Sequence, residues 1–256
     1  MGFQTHRDDF AIGWTMNKIV DRCSDLRNQK FSDDTLRARY DLRNNRDWNL
    51  ASARRKLLIN SDWTAGITTC HYRPLDNRYC HLSYVTMDYP RKEMIQHGLG
   101  RHNLWVGVGR QGLAIGTTEW CLATVSDCPM DVNVFRRGGV NATPLYLYPD
   151  ENGLDQTIRL NFEPKLYARI RKAAGLTAPL APPDGTDAFR RATGNARPDE
   201  VKVFDYIYAV LPCPAYRETY AEFSKIDFPR IPFPASPESF AAISQQGEKL
   251  RRLHLM

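Results

Sequence analysis

The stretch CHYRPLDNRYCHL, residues 70–82, carries Cys-His twice. Thiolates and imidazoles are the ligands of structural zinc, and they usually come in close pairs that let one turn of backbone aim two side chains at one ion. Cys70 and His71 are adjacent, as are Cys80 and His81. Adjacent side chains on a strand leave opposite faces, so one member of each pair is withheld from a common ion. Cys121 and Cys128 are no better spaced. The cysteines are read as reduced, small hydrophobes on a buried face, with no metal site. A second pattern, Pro149-Asp150 followed by Glu163-x-Lys165, spells a Mg²⁺-dependent nuclease. Two carboxylates would hold the ion and the lysine would assist the attacking water. That chemistry needs its acids on consecutive strands, whereas FEPKLYARIRKAAG reads as the start of a helix, so the nuclease stands as an alternative only. No glycine-rich phosphate loop, base-gripping tetrapeptide or nucleophile–base arrangement can be singled out, and no catalytic residue is assigned.

A basic and amide-bearing set remains: Arg73, Arg78, Arg91, Lys92, Arg110, Gln111, Arg136, Arg137 and Asn141. Arg, Gln and Asn can meet base edges with paired hydrogen bonds, and Arg or Lys can hold phosphates. These residues are the candidate DNA contacts. Arg91, Lys92, Arg136 and Arg137 are assigned to phosphates, and Arg110, Gln111 and Asn141 to bases. For Arg73 and Arg78, pairing with Asp76 or Asp88 inside a hairpin is an equal reading.

The elements that must position this set follow from periodicity. Met16, Ile19, Val20, Cys23 and Leu26 recur at helical spacing behind Thr15, a capping residue, and a polar helix follows near Asn49 to Leu58. From residue 66 the period changes. ITTCHYR and RYCHLSYV flank PLDN and predict a β-hairpin, while NLWVGVG, LATVS and PLYLYP predict further strands. Residues 175–199, rich in Pro, Gly and Ala, form a long connection. Helices return with EVKVFDYIYAVL, then behind Pro214, and then behind Ser236-Pro237, with Phe240, Ile243, Leu250 and Leu253 facing inward. The expected fold class is α+β, with a β-rich centre flanked by helices. Its parts would be a helical connector over 1–65 and a recognition domain over 66–256.

A chain of 256 residues with 42% hydrophobic and 25% charged residues is a globular composition, and its net charge of +6 favours polyanionic partners. No apolar run approaches membrane-span length, and MGFQTHRDDF is too polar for a signal peptide, which places the protein in the cytoplasm.

Several runs together resemble a known family. Tyr72-Arg73-Pro74-Leu75-Asp76-x-Arg78-Tyr79, with Asp88-Tyr89-Pro90-Arg91 and Met94, is similar to a "YRPFD-R-Y … RPR … M" run. Thr5-x-Arg7-Asp8-Asp9-Phe10, Asn103-Leu104 before Arg110-Gln111, and Pro144-Leu145-Tyr146-Leu147-Tyr148-Pro149-Asp150 match further segments. Tyr206 to Leu211, Pro214 to Glu218 and Ile226 to Pro232 resemble its closing run. The family is the C-terminal target-recognition region of type ISP-like and type IIG-like restriction-modification enzymes, built around a gamma-class N6-adenine methyltransferase. Leu75 stands where Phe is usual, Tyr89 where Arg is usual, and Pro212-Cys213 where His-Ser is usual. The resemblance implies a module that grips duplex DNA and has no catalysis of its own. It also implies a methyltransferase core, in cis or in trans, that carries the S-adenosylmethionine pocket. A module that only docks onto another protein, without DNA affinity, is the remaining alternative.

Overall fold

The computed structural model describes residues 1–109, 120–135, 139–180 and 183–256. Near the N-terminus, helix α1 (Asp8–Ala11) runs into strand β1 (Ile12–Gly13), followed by α2 (Met16–Arg27), α3 (Asp33–Tyr40) and α4 (Leu50–Ile59). The caps explain the starts. Thr15, Ser32 and Asn49 each accept a backbone N–H from the first turn of the helix that follows. The sequence pattern anticipates α2 and α4. It does not anticipate α3, whose DDTLRARY buries Leu36 alone and therefore has no apolar stripe. Ile19, Cys23 and Leu26 of α2 close on Leu36, Trp48, Leu50 and Leu57 to form the helical core.

Strands β2 (Ile67–Arg73) and β3 (Asp76–His81) make the expected hairpin, and β1 pairs along β3 to give a three-stranded sheet. The turn is shorter than PLDN suggests. Asp76 pairs with Arg73, so only Pro74 and Leu75 turn, and Leu75 takes φ 60. One face of the sheet packs on the helical core through Ile67 and Tyr79. The other carries Cys70 and Cys80 into a second core with Met87, Met94, Trp105 and Met130.

Helix α5 (Lys92–Gly98) leads to β4 (Trp105–Val108), which is flanked by β5 (Ala123–Ser126) and β6 (Asn141–Pro144) in an antiparallel sheet ordered β5-β4-β6. Short segments tie the two sheets together. His71 N–H donates to Pro129, Phe3 N–H to Met130, Gly2 N–H to Val140, and Gln4 and Tyr89 exchange N–H bonds. Residues 2–4 thus bond to residues 130, 132 and 140 and to residue 89.

Strands β7 (Tyr146–Leu147) and β8 (Arg159–Leu160) form a small ladder before the C-terminal helices α6 (Pro164–Ala173), α7 (Ala188–Arg191), α8 (Asp199–Val210), α9 (Pro214–Ile226) and α10 (Pro237–His254). Gly175 ends α6 with φ 68, and Pro214 and Pro237 open their helices as expected. The connection over 175–199 is not bare loop. It holds α7, whose Phe189 is buried against Val201 and Phe204. Helix α8 is buried on more than one face, because Val203, Tyr206 and Val210 are covered as well as Val201, Phe204 and Tyr208. In α10 the inward face departs from the expectation. Leu253 is exposed, while Gly247, Glu248 and Arg251 are buried. Gly247 lets the α8 backbone come so close that a Cβ there would sit 1.8 Å from the Asp205 carbonyl oxygen.

Candidate nucleic-acid interface

Arg78 lies between aromatic rings, 3.9 Å from Trp14 and 4.4 Å from Tyr72, and Arg73 covers Tyr72 at 3.7 Å. Arg78 forks onto Asp76 with bonds of 2.8 to 3.1 Å, which raises its pKa further. Arg73 donates to Asp131 at 3.1 Å and reaches Asp8 at 3.4 Å. The hairpin reading therefore describes Arg78, whereas the Arg73 guanidinium pairs with neither Asp76 nor Asp88 and meets Asp8 and Asp131 from outside the hairpin. Asp88 takes no part. It is buried with Arg7, His6 and Asn45, and although burial opposes its charge, these donors hold it below the usual carboxylate range. Burial pushes the Asp131 carboxyl up to about 6.

The Cys-His pairs serve the fold. Cys70 and Cys80 are fully buried, and the sulfur contact between them together with burial raises the Cys70 thiol well above its ordinary pKa. His71 shares hydrogen bonds with Asn77 at 2.8 Å and Thr124 at 3.2 Å, and His81 with the Trp63 carbonyl and Ser83 at 2.8 Å. Burial lowers the pKa of both rings. The nuclease triad is occupied elsewhere as well. Asp150 meets Lys92, Glu163 caps α6 by accepting from Leu166 N–H at 2.7 Å, and Lys165 points outward from the first turn of that helix. Among the described residues no three His, Cys, Asp or Glu side chains are grouped to hold a metal.

Arg91 differs from the hairpin arginines. It sits at φ 61, ahead of α5, with its guanidinium 5.1 Å from the centre of the Tyr89 ring. No carboxylate pairs with it among the described residues, and its buried Nε has no partner. A bulky residue at positive φ costs of order 1–3 kcal/mol and persists where surrounding structure over-determines it. Here the neighbours are Pro90 and the Gln4–Tyr89 bridge. Tyr89 extends the site. Its hydroxyl donates to Asp47 at 2.6 Å and accepts from Arg46 at 3.2 Å. Arg46 and Lys56 line a hollow that ends at Tyr84, and Tyr84 also borders a groove of about 400 Å³ lined by Lys92, Gln96 and Arg101. Arg46 and Lys56 of the hollow and Lys92 and Arg101 of the groove thus adjoin one tyrosine, Tyr84, with Asp47, Asp150 and Glu151 beside them.

Asn141 begins β6 opposite Val108, which also faces Ala123, so the strand ends flanking residues 110–119 and 136–138 meet at one end of the sheet. Gly2 N–H donates to the Val140 carbonyl and Gln4 N–H to the Tyr89 carbonyl, so the N-terminal segment touches both residue 140, beside Asn141, and residue 89. Arg110, Gln111, Arg136 and Arg137 lie outside the described residues. Residues 2–4 thus link the chain beside Asn141 to the chain beside Arg91, while Arg73 and Arg78 have internal partners. Sequence reasoning missed Arg46, Tyr84, Gln96 and Arg101. They come from separate segments, and no local pattern in the sequence groups them.

Three solved structures share the fold. The DrdV–DNA complex is similar to this chain at TM-score 0.64 and 20% identity, over 100% of this chain and 23% of its own. The ATP-dependent Type ISP restriction-modification enzyme LlaBIII bound to DNA is similar at 0.64 and 19%, over 99% of this chain and 15% of its own. A nuclease-deletion mutant of the Type ISP enzyme LlaGI, in complex with a DNA substrate mimic, gives 0.60 and 18%, over 99% and 18%. The chain thus spans less than a quarter of the length of each of these relatives. A search of the curated proteins found no match. The family model described as the Type ISP C-terminal specificity domain matches residues 1–256, and the chain belongs to that family.

Proposed function

We propose that this chain is the DNA target-recognition module of an adenine-specific restriction-modification enzyme, with no active site of its own. The observation that carries the reading is the surface around Arg91. A cation held in a strained backbone, without a carboxylate partner among the described residues, stands over Tyr89, whose hydroxyl accepts from Arg46, and directly precedes Lys92. Such cations hold phosphates, which fixes register and orientation on a duplex. Base reading falls to Asn141 and to Arg110 and Gln111, and Arg136 and Arg137 join Arg91 and Lys92 as phosphate contacts. The similar enzymes were each seen with DNA or a DNA mimic, and in each this fold is a minor part of a longer chain. The module would therefore work with a methyltransferase core in cis or in trans. S-adenosylmethionine belongs with that core, and no residue of this chain is assigned to it. No described helix is long and apolar enough to cross a membrane, and the cytoplasm is the compartment that fits this role.

The test is fluorescence anisotropy with a pool of random duplexes at several salt concentrations. Affinity should fall linearly in log[salt], with a slope of about −0.9 per phosphate contact. Absence of binding at low salt, alone and with a methyltransferase core added in trans, would end the reading.

A further inference from the structure

We propose that the groove between α5 and the turn at Pro149–Asn152 seats a backbone phosphate of duplex DNA between Lys92 and Arg101, and that Asp150 and Glu151 fill that seat as phosphate mimics until DNA displaces them. The inference rests on the DNA-binding reading and adds to it a second clamp, Arg101, and a counter-charge that sets affinity.

The groove, about 400 Å³, has a tyrosine at its mouth and an amide on its wall, with the two cations set along it. Each cation faces one of two consecutive acids. Lys92 Nζ is 3.4 Å from Asp150 Oδ2, and the Arg101 guanidinium is 3.4 Å from Glu151 Oε1. Both distances are at the loose end of an ion pair. The acids are 53% and 84% exposed, so their carboxylates can swing into water. Lys92 is itself 76% exposed, whereas Arg101 is better held. Arg101 lies 5.3 Å from the Tyr148 ring, whose hydroxyl donates to the His102 carbonyl at 2.6 Å. Gln96 ties the base of the turn to α5 by donating to the Tyr148 carbonyl at 2.9 Å. One Asp150 oxygen accepts Asn152 N–H at 3.1 Å, and that bond with Lys92 keeps its carboxyl below the usual range.

The energetic ranking favours exchange. Exposed ion pairs contribute about 0–1 kcal/mol, so opening them costs little. A phosphate brings charge to the same cations and releases its condensed counterions. The acids remain nearby after displacement, however, and repel the incoming strand. At about 4 Å and in water, one such repulsion is worth about 1 kcal/mol, or a factor of about 5 in binding. The groove therefore grips only when the rest of the interface supplies enough contact to hold the strand there, and random DNA gains little from it.

The experiment compares the whole chain with Asp150→Asn/Glu151→Gln in anisotropy titrations with random duplex DNA. The double variant is expected to bind about tenfold or more tightly at low salt, with a slope steeper by about 1–2. Adding Lys92→Ala or Arg101→Ala to the double variant should remove most of the gain. All four side chains are at the surface, and unchanged urea midpoints would confirm intact folds. Unchanged affinity and slope in the double variant, with wild type binding DNA, would sink the phosphate seat and leave the recognition reading intact. A gain that survives loss of Lys92 and Arg101 would reduce the effect to net charge and also overturn the seat. A wild-type chain that binds no DNA would remove both.

Discussion

Arg251 and Asp205 face each other across the buried contact of α8 and α10, with Arg251 Nε donating to Oδ1 at 2.6 Å and a terminal nitrogen donating to Oδ2 at 3.0 Å. Arg197 also bonds Asp205, and Glu248 bonds Arg197 and Arg252. The carboxylate and both guanidinium groups on it are almost wholly buried. Removing one member strands a charge without water. Asp205→Ala or Arg251→Ala should therefore lose about 3–5 kcal/mol of stability in urea denaturation. Arg251→Lys should recover little, because an ammonium cannot reproduce the fork.

Gly247 is the neighbour that makes this approach possible. Alanine there would meet the Asp205 backbone, which cannot swing aside as a side chain can. Gly247→Ala should cost about 3 kcal/mol, read as a lowered urea midpoint. Survival of the midpoint would mean that α10 shifts along α8 without penalty.

Asp131 predicts a pH dependence. Its folded value, about 6, lies above the ordinary 3.8, so protonation favours the fold. The associated stability is fully present below the unfolded value and is lost as pH rises through about 6. Asp131→Asn should match wild type near pH 4 and exceed it by about 2–3 kcal/mol at pH 7.5. Parallel stability profiles for the two proteins would contradict the burial effect.

Leu75 occupies a backbone conformation that disfavours branched side chains, and it is 71% exposed, so little packing compensates. Leu75→Asn should raise stability by about 1 kcal/mol in the same assay. A loss would show that the leucine makes contacts that outweigh its strain.

Among the proposed DNA contacts, Arg91→Ala should weaken all duplexes alike and reduce the salt slope by about 1. Asn141→Ala should cost about 1–3 kcal/mol on the recognised site and little elsewhere. The pair of titrations, on selected and random duplexes, separates phosphate holding from base reading.

Local signals in the sequence reach a long way into this fold. Thr15, Asn49, Pro214 and Ser236-Pro237 mark helix starts where the structure has them, because capping depends on a few neighbouring atoms. The hairpin was legible from its β-branched runs, and the family from strings such as PLYLYPD and IDFPRIP. The misses have physical causes too. Helix α3 lacks an apolar stripe, Leu253 yields its inward place to a buried arginine, and the turn contracts to Pro74-Leu75 because Asp76 pairs across to Arg73.

By itself the sequence determined the kind of module this is and the chemistry its surface can offer: an α+β specificity domain, rich in arginine. Which arginines are free to use that chemistry was decided only in three dimensions. Arg73, Arg78, Arg197 and Arg251 meet carboxylates, with Arg251 brought to Asp205 from 46 residues away, whereas Arg91 meets a tyrosine and no acid among the described residues. Charge is a property of a residue, but its neutralisation depends on atoms within a few ångströms, and those neighbours exist only once the chain has folded.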